Sequence, residues 1–325
     1  MTQPLVNILM ATYNGHAYLK EQIDSLLAQT YTNWELWVRD DGSTDSTIEI
    51  LKSYKINHPN INVYTNLTGK RGACSNFAAL FRMAKLDEHA KYIMFCDQDD
   101  IWLPNKIEET LTEMKRQEQL YPAEPVMIYS DVELIDDRGG RTGHSLRIKG
   151  KIDLKNLVSF NYVLGCTVMI NRAMIYKIKR IPEQAANHDY WMALVTSIYH
   201  SAYINKKLIC YRQHRQNASG NVAHNNSLSA RIRRHVTNPQ YEIEASKAKL
   251  TMLNEFYKQY VKELDAGKRK MLEEYLNAFE LGRLRVCYLI LKYQMFKKGF
   301  FQSLMTFYHV LFFYGRMRRT YGHNL

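Results

Sequence analysis

Short apolar runs alternate along the first 220 residues with segments whose apolar residues recur at helical spacing. The runs "VNILMATYN", "WELWVRDD", "INVYTN" and "YIMFCDQDD" read as strands, and helix-like segments such as "AYLKEQIDSLLAQ" and "CSNFAALFRMAK" follow them. Four successive strand-helix units favour an α/β fold with a mainly parallel, Rossmann-like sheet flanked by helices. In such sheets, ligands bind where the carboxyl ends of the strands meet.

Four more candidate elements follow before about residue 215, where the pattern changes. Two strand candidates, "VMIYSDVELID" and "GCTVMIN", precede a helix candidate, "HDYWMALVTSIY", and a strand candidate, "AYINKKLICYRQH". The stretch "QNASGNVAHNNS" (216–227) is rich in Asn, Ser and Gly and reads as a linker, and the rest of the chain has helical spacing. We therefore predict an α/β domain over residues 1–222 and a helical C-terminal region over 223–325.

Charge distinguishes the two parts of the chain. The net charge of +12 comes mostly from residues 228–325, which hold 18 Lys and Arg against 8 Asp and Glu, and no acidic residue follows Glu280. The last segment has no run of 18 apolar residues, so it does not predict a membrane-spanning helix. Cations interleaved with aromatic residues favour peripheral contact with an anionic membrane surface. The alternative is that this face packs on the α/β domain or in a homodimer, with its cations solvated.

Two other features bear on the protein's environment. The five cysteines are widely spread and have no metal-binding spacing, which favours free thiols in a reducing compartment. The N-terminus lacks the charged region and cleavage site of a secretory signal, so a cytoplasmic location is expected. A nucleic-acid-binding protein would explain the basic tail, but no recognisable nucleic-acid motif occurs, and we predict no such partner.

The stretch "CDQDD" places carboxylates at the end of an apolar strand. Asp97 and Asp99 lie two residues apart and so point the same way, which suits hard oxygen ligands for Mg²⁺ or Mn²⁺. The alternative is helix N-capping by Asp99 or Asp100 before "LPNKIEE".

Two further segments have residues suited to a nucleotide. In "RDDGSTDST", Asp41 could accept hydrogen bonds from a nucleobase, although the segment also suits a simple turn and helix cap. In "TGKRGACSN", Arg71 could approach a diphosphate, but the P-loop spacing is absent and a solvated turn is the alternative.

The later motifs supply a base and phosphate ligands. In "NHDYW", Asp189 is either a helix cap or a general base in a partly apolar pocket. In "YRQH", Arg212 and His214 are donors suited to phosphate, or simply members of a surface loop.

Together and in this order, "TYNG", "DDGSTDST", "DQDDIWLPNK", an Asp ahead of "YW", and "YRQH" resemble the family 2 glycosyltransferases with the GT-A fold over roughly residues 5–220. The resemblance implies nucleoside contacts from the "TYN" residues Thr12, Tyr13 and Asn14 and from Asp41. It implies a D-x-D pair in which Asp99 binds the metal and Asp97 lies near the ribose or the metal. It also makes Asp189 the catalytic base, and it makes Arg212 and His214 residues that close over the diphosphate, with His214 also a metal ligand.

The particular residues in these motifs resemble one subgroup of the family. "CDQDDIW", "GCTVMINR", "HDYW" and "YRQH" look most like bacterial rhamnosyltransferases that build O-antigen or other surface polysaccharide from dTDP-L-rhamnose. That likeness implies an inverting, Mn²⁺- or Mg²⁺-dependent enzyme with a lipid-linked saccharide acceptor at the inner face of the cytoplasmic membrane. The alternatives are a transferase that uses UDP-galactose or UDP-N-acetylglucosamine and a scaffold with an inactive transferase fold. His188 stands where the family commonly has Glu, so the role of that position is open.

Overall fold

A computed structural model describes residues 3–67, 69–142, 150–183, 185–214, 217, 239–295, 307 and 310–311. The chain divides into two compact units. The first comprises Met1–Lys151, Val163–Glu183 and Tyr199–Ala223, and the second comprises Ile152–Tyr162, Gln184–Ile198 and His224–Leu325. Two segments from within residues 1–222 therefore group with the C-terminal helices. The predicted division at residue 222 stays a prediction.

The first unit contains one sheet. Its strands are β1 (Val6–Thr12), β2 (Trp34–Asp40), β3 (Ile61–Thr65), β4 (Tyr92–Cys96), β5 (Ile101–Trp102), β6 (Val126–Ile135), β7 (Val168–Asn171) and β8 (His200–Arg212).

Helices of the first unit are α1 (Leu19–Leu27), α2 (Thr47–Asn57), α3 (Ala73–Leu86), α4 (Lys106–Leu120) and α6 (Arg172–Lys177). The second unit contains α5 (Leu154–Leu157), α7 (His188–Thr196), α8 (Pro239–Tyr260), α9 (Ala266–Leu281) and α10 (Arg283–Lys292).

The strand order is β3-β2-β1-β4-β7-β6-β8-β5. Strands β1 to β4 pair in parallel, β7 runs antiparallel between β4 and β6, and β8 pairs in parallel with β6. Since two successive antiparallel pairings restore the direction, β6 and β8 run the same way as β1, β2 and β4. The mainly parallel α/β fold is confirmed, and it brings the carboxyl ends of β1, β2, β4 and β8 to one edge.

Burial explains why these segments form the sheet. All five residues of β4 are buried, as expected for a strand covered by helices on both faces. In α1, the residues that face the core are Leu19, Ile23 and Leu26, whose spacing of four and three places them on one side of the helix. The apolar runs and the helical spacing thus fix which face of each element is covered.

The second unit has an aromatic core of its own. The Trp191 ring of α7 lies 6.2 Å from the rings of both Phe256 and Tyr260 of α8, in edge-on arrangements. Helix α9 ends at Leu281, and Gly282, with a φ of 126°, separates it from α10. That positive φ suits glycine.

Among the described residues, none of the helices has the length and hydropathy that crossing a bilayer requires. The predicted linker at 216–227 lies outside the described residues except for Asn217, and most of the aromatic segment after residue 295 lies outside them as well.

Candidate active site

Loops after β1, β2, β4 and β8 carry most of the predicted site residues, and they follow strands that end at the same edge of the sheet. Arg71 lies in the loop before α3 in the same unit. Asp189 belongs to the second unit.

The turn after β2 is organised by Asp40. Its carboxylate accepts hydrogen bonds from the backbone N–H groups of Gly42 (3.0 Å) and Ser43 (2.8 Å) and from the Ser43 hydroxyl (2.6 Å). It also accepts a bond from the Thr12 hydroxyl at 2.9 Å. Thr12, predicted to contact the nucleoside, therefore uses its hydroxyl hydrogen to join β1 to β2.

Asp41 is held on both carboxylate oxygens. Oδ1 accepts from Asn66 Nδ2 at 2.5 Å, and Oδ2 accepts from the Gly72 N–H at 2.6 Å. Arg71 lies against this turn, since a Cβ built on Gly42 would stand 3.1 Å from its Nη2. Arg71 therefore lies beside the turn that carries Asp41, and Asp41 itself is almost completely buried.

Tyr13 is bridged to the D-x-D loop by Gln98. Gln98 Oε1 accepts from the Tyr13 N–H at 2.9 Å, and Gln98 Nε2 donates to the Tyr13 carbonyl at 3.0 Å. The Tyr13 side chain remains 49% exposed. A Cβ at Gly15 would stand 2.3 Å from Gln98 Oε1, so this close approach requires glycine. The bridge holds the ends of β1 and β4 together and leaves the Tyr13 ring at the surface.

Asn14 stabilises the same loop. Its φ of 46° is left-handed, a conformation that Asn tolerates better than most residues. Its backbone N–H donates to the Ser43 hydroxyl at 2.9 Å, and its Oδ1 accepts from the Thr44 N–H at 2.8 Å. The Asn14 oxygen is therefore engaged with the β2 turn.

Two of the predicted metal ligands are in contact. His214 Nε2 lies 2.7 Å from Asp99 Oδ2, and the two side chains are 10% and 13% exposed. Two ligands at right angles on one ion, each at about 2.1 Å, stand roughly 3 Å apart. Carboxylate oxygen and imidazole nitrogen both suit Mn²⁺. The contact itself is a hydrogen bond, and the oxygen and nitrogen atoms that it brings together are of the kinds that bind a divalent cation.

Asp100 is not a helix cap. The residue at the N-cap of α4 is Asn105, whereas Asp100 is fully buried and accepts the backbone N–H of Arg212 at 3.0 Å. Asp99 does not cap α4 either, because its carboxylate contacts His214. The capping interpretation was wrong, because the partners of both residues lie on β8 and just after it, more than a hundred residues along the chain.

Asp97 belongs to a different acidic cluster. Its carboxylate, that of Asp100 and the Cys166 thiol have ligand atoms within 4.8 Å of one another. Burial raises the pKa of the Asp100 carboxyl well above its usual range, and the charges of Asp99 and Asp97 add to the shift. Burial likewise raises the pKa of the Cys166 thiol. Both groups therefore favour their protonated forms, which bind cations poorly.

A buried amine lies in the same region. Lys106 is fully buried, its Nζ lies 3.3 Å from the centre of the Trp102 ring, and burial lowers its pKa to about 7. The protein thus keeps several titrating groups away from water beside the D-x-D loop.

Arg212 has partners inside the protein. Its side chain is 1% exposed, and its guanidinium donates to the Asp99 and Asp137 carbonyls and to the Glu21 carboxylate. Closure over a diphosphate, as predicted from the motif, requires some of these contacts to break.

Asp189 lies in the second unit. It lies in the first turn of α7, and its Oδ1 accepts from Asn161 Nδ2 at 3.1 Å. The preceding His188 is buried, and burial lowers its pKa to about 3. The residue that replaces the family's common Glu is therefore a neutral imidazole at physiological pH.

Two residues of the site were missed by the sequence analysis. Gln98 stands between the two predicted D-x-D carboxylates, where a bridging amide has no distinct signal. Glu21 looks like an ordinary acidic residue in the first turn of a surface helix. Their functions become visible only when the strand ends are assembled.

Comparison with known proteins agrees with this fold. Glycosyl transferase family 2 matches residues 7–178, more than half of the chain, and the chain therefore belongs to that family. The chain is 28% identical over 258 residues to the dTDP-rhamnosyl transferase RfbG of Shigella flexneri, covering 73% of this chain and 82% of the relative. It is 29% identical over 229 residues to the UDP-Glc:alpha-D-GlcNAc-diphosphoundecaprenol beta-1,3-glucosyltransferase WfgD of Escherichia coli, covering 68% and 82%.

Solved structures share the architecture. Residues 1–349 of S. aureus TarS in complex with UDP-GlcNAc match with a TM-score of 0.60 at 13% identity, covering 97% of this chain and 89% of that one. The mannosyltransferase PcManGT from Pyrobaculum calidifontis, in complex with GDP-Man and Mn²⁺, matches with a TM-score of 0.51 at 13% identity, covering 98% and 85%. At these identities the likeness shows the fold. Family membership makes the protein a glycosyltransferase.

Proposed function

We propose that this glycosyltransferase is an inverting, metal-dependent enzyme that moves L-rhamnose from dTDP-L-rhamnose to a lipid-linked saccharide during synthesis of bacterial surface polysaccharide, such as O-antigen or capsule. The observation that carries the proposal is the contact between Asp99 and His214, at the same sheet edge as Asp41 and Tyr13. Similarity to RfbG over most of both chains supports the rhamnose donor.

The donor's nucleoside would bind at the ends of β1 and β2. The exposed Tyr13 ring offers a face for the base, and the fixed Asp41 carboxylate offers an acceptor for a base N–H. Arg71, beside Gly42, carries the positive charge that suits the diphosphate.

Asp99 and His214 would hold Mn²⁺ or Mg²⁺. Asp97, the third predicted ligand, lies by Asp100 and Cys166 instead. When bound, the ion supplies Lewis-acid stabilisation of the negative charge that develops on the departing diphosphate. The solved PcManGT complex, which contains Mn²⁺ in the same fold, supports the use of a divalent metal.

Asp189 would take the proton of the acceptor hydroxyl as that oxygen bonds to the anomeric carbon and the bond to the diphosphate breaks. The Asn161 amide orients the carboxylate by donating to one of its oxygens. A neutral His188 adds no charge that would weaken the base. A single displacement of this kind inverts the anomeric configuration.

A UDP-sugar is the second candidate donor. The relative WfgD is named for UDP-Glc, and the TarS complex contains UDP-GlcNAc. A thermal-shift series with dTDP-rhamnose, UDP-galactose, UDP-N-acetylglucosamine and UDP-glucose, each with and without Mn²⁺, separates the candidates. We expect the largest stabilisation from dTDP-rhamnose with Mn²⁺; a larger shift with a UDP-sugar would replace the rhamnose assignment.

The base assignment is tested with Asp189→Asn. Removing a general base typically costs about 10²- to 10⁴-fold in rate, so transfer should fall by that factor while donor affinity is kept. Glu244→Gln, in an exposed residue of the same unit, is the matched control. Transfer by Asp189→Asn at the wild-type rate would exclude this role.

We also propose that the enzyme works peripherally at the inner face of the cytoplasmic membrane. Helix α10 buries Val286, Leu289 and Ile290, yet its opposite side exposes Leu284, Tyr288 and Leu291 by 75%, 50% and 56%. The exposed cations Arg283 and Arg285 lie on the same helix. An apolar face with adjacent cations suits an anionic lipid surface, whereas a second copy would bring like charges together.

Co-sedimentation with vesicles tests this surface. The double variant Leu284→Ser/Leu291→Ser should lose binding to phosphatidylglycerol vesicles, and neither protein should bind phosphatidylcholine vesicles. Leu86→Ser, in a residue 79% exposed at the end of α3, is the control. Unchanged vesicle binding by the double variant would refute the assignment, and a change from dimer to monomer instead would make this face a homodimer contact.

A further inference from the structure

Arg212 connects four separate segments of the first unit. Its backbone N–H donates to Asp100 Oδ1 at 3.0 Å, and its Nε donates to the Asp99 carbonyl at 2.9 Å. Its Nη1 donates to the Asp137 carbonyl at 3.2 Å, and its Nη2 donates to the Glu21 carboxylate. The D-x-D loop, the turn after β6, the start of α1 and the end of β8 therefore all meet at one side chain.

The Glu21 carboxylate neutralises the positive charge of the Arg212 guanidinium. Arg212 is 1% exposed, and among its described contacts Glu21 is the acidic side chain that the guanidinium touches. The contacts with Asp99 and Asp137 are to backbone oxygens and bring no counter-charge. A buried cation without its counter-charge is costly, so Glu21 sets both the place and the net charge of this group.

Tyr18 extends the same support to His214. The Arg212 Cζ lies 4.7 Å from the centre of the Tyr18 ring, and the His214 ring centre lies 4.8 Å from it. Tyr18 and Glu21 stand three residues apart at the start of α1, where that spacing puts two side chains on one side of a helix. The N-cap residue of α1, Tyr18, thus contacts both Arg212 and His214, and Glu21 in the first turn of α1 contacts Arg212.

We propose that Arg212, Glu21 and Tyr18 are positioning residues that fix Asp99 and His214 at their 2.7 Å separation, and that Arg212 is not a ligand of the donor diphosphate. The inference rests on the proposed metal role of Asp99 and His214. Side chains that orient metal ligands contribute about 10- to 100-fold to metal affinity. Glu21 has a second effect, because it neutralises a cation that would otherwise repel the metal.

The first test changes Glu21. Glu21→Gln keeps an oxygen acceptor for Arg212 and removes the counter-charge, and the side chain is 58% exposed, so the fold should tolerate the change. Binding of Mn²⁺ alone to the full chain, measured by electron paramagnetic resonance of the free ion, should weaken about 10- to 100-fold. The matched control is Glu49→Gln, an exposed acid in the first turn of α2, which should bind Mn²⁺ as the wild type does. Wild-type Mn²⁺ affinity in Glu21→Gln would overturn the inference.

A second test separates positioning from diphosphate binding. Arg212→Lys keeps the charge but cannot make the three guanidinium contacts, so Mn²⁺ affinity should fall while dTDP affinity in EDTA is unchanged. A large loss of dTDP affinity in EDTA with normal Mn²⁺ binding would make Arg212 a diphosphate ligand and overturn the inference. If Arg212→Lys does not fold, Tyr18→Leu provides the same readout through His214, with a smaller expected loss of Mn²⁺ affinity.

The outcomes also distinguish this inference from the proposed function. If the wild-type protein binds donor but no Mn²⁺, the metal role of Asp99 and His214 fails and the inference fails with it. If the wild type binds Mn²⁺ and Glu21→Gln binds it equally well, only the inference fails.

Discussion

Acidic pairs lie at two places along the same sheet edge, and their hydrogen-bond partners differ. After β2, Asp40 and Asp41 are held by backbone N–H groups, hydroxyls and an amide. After β4, Asp99 contacts an imidazole, and Asp100 is buried beside the backbone of a fully buried arginine. We call these the β2 pair and the β4 pair.

The difference fits the two separate roles proposed above for these pairs. Neutral donors fix the β2 pair in one geometry, which suits recognition of a base by shape and hydrogen bonding. The β4 pair lies among groups that change charge with pH or with a bound cation, which suits a metal. Changes at the β4 pair should therefore alter metal dependence, and changes at the β2 pair should alter donor affinity.

Among changes at or near the two pairs, the largest effect is expected from Asp99→Asn. Losing the charged partner of His214 should reduce transfer by about 10²- to 10³-fold, the usual result of removing one electrostatic stabiliser of a leaving group. We would measure transfer rates at varied Mn²⁺ concentration and the affinity for dTDP in EDTA. The dTDP affinity should be unchanged. Asp24→Asn, in an exposed acid of α1, serves as the control. Loss of dTDP binding in EDTA would break the division between the pairs.

Asp41→Asn should act on the donor. Its new amide would face the N–H of Gly72 or the Asn66 amide, so the carboxylate geometry is lost. We expect the KM for donor to rise about tenfold, a cost near one hydrogen bond to a charged group, with little change in kcat or in Mn²⁺ dependence. A changed Mn²⁺ requirement at normal donor KM would contradict this assignment.

Gly15→Ala tests the Gln98 bridge between the ends of β1 and β4. The added Cβ would displace Gln98, which otherwise holds Tyr13 by two hydrogen bonds. Donor KM should rise by about two- to fivefold, and the free energy of unfolding should fall by about 1–2 kcal/mol. The double variant Gly15→Ala/Gln98→Ala removes the clash, and unfolding measurements should show partial recovery. A larger loss in the double variant would mean that Gln98 is not the residue displaced.

The smallest effect on transfer is expected from Lys106→Met, which concerns stability beside the β4 pair. The Lys106 pKa is about 7 in the folded protein, below its unfolded value of about 10.4. Between these values the unfolded chain binds more protons, so the contribution of Lys106 to stability rises with pH from about 7 to about 10. The melting temperature of the wild type should therefore gain a contribution from Lys106 between pH 7 and pH 9, and Lys106→Met should lack that contribution. An unaltered rise would mean that other groups produce it.

Much of the fold could be predicted, because β4 is a continuous apolar run, β1 and β2 are rich in apolar residues, and the segments that form α1 to α4 have helical spacing. The antiparallel insertion of β7 was not predicted, since a run of four buried residues carries no sign of its direction. Residue roles were harder. Asp100 resembled a cap in its local sequence, because its partner, the Arg212 backbone, lies 112 positions away in the chain. The contacts of the Arg212 guanidinium were equally invisible in the local sequence, and its role at the diphosphate stays a prediction.

The pairing of Arg212 with Glu21 has a consequence for how the protein folds. These residues are 191 positions apart, and Asp99 and His214 are 115 apart. Contacts of such long sequence separation form late and slowly, because the closure of a long loop must precede them. During synthesis, α1 and the D-x-D loop leave the ribosome long before β8. The growing chain therefore holds the turn after β2 before it can form the contact between Asp99 and His214. If that contact holds the proposed metal, the transferase gains its activity only after β8 has been added to the sheet.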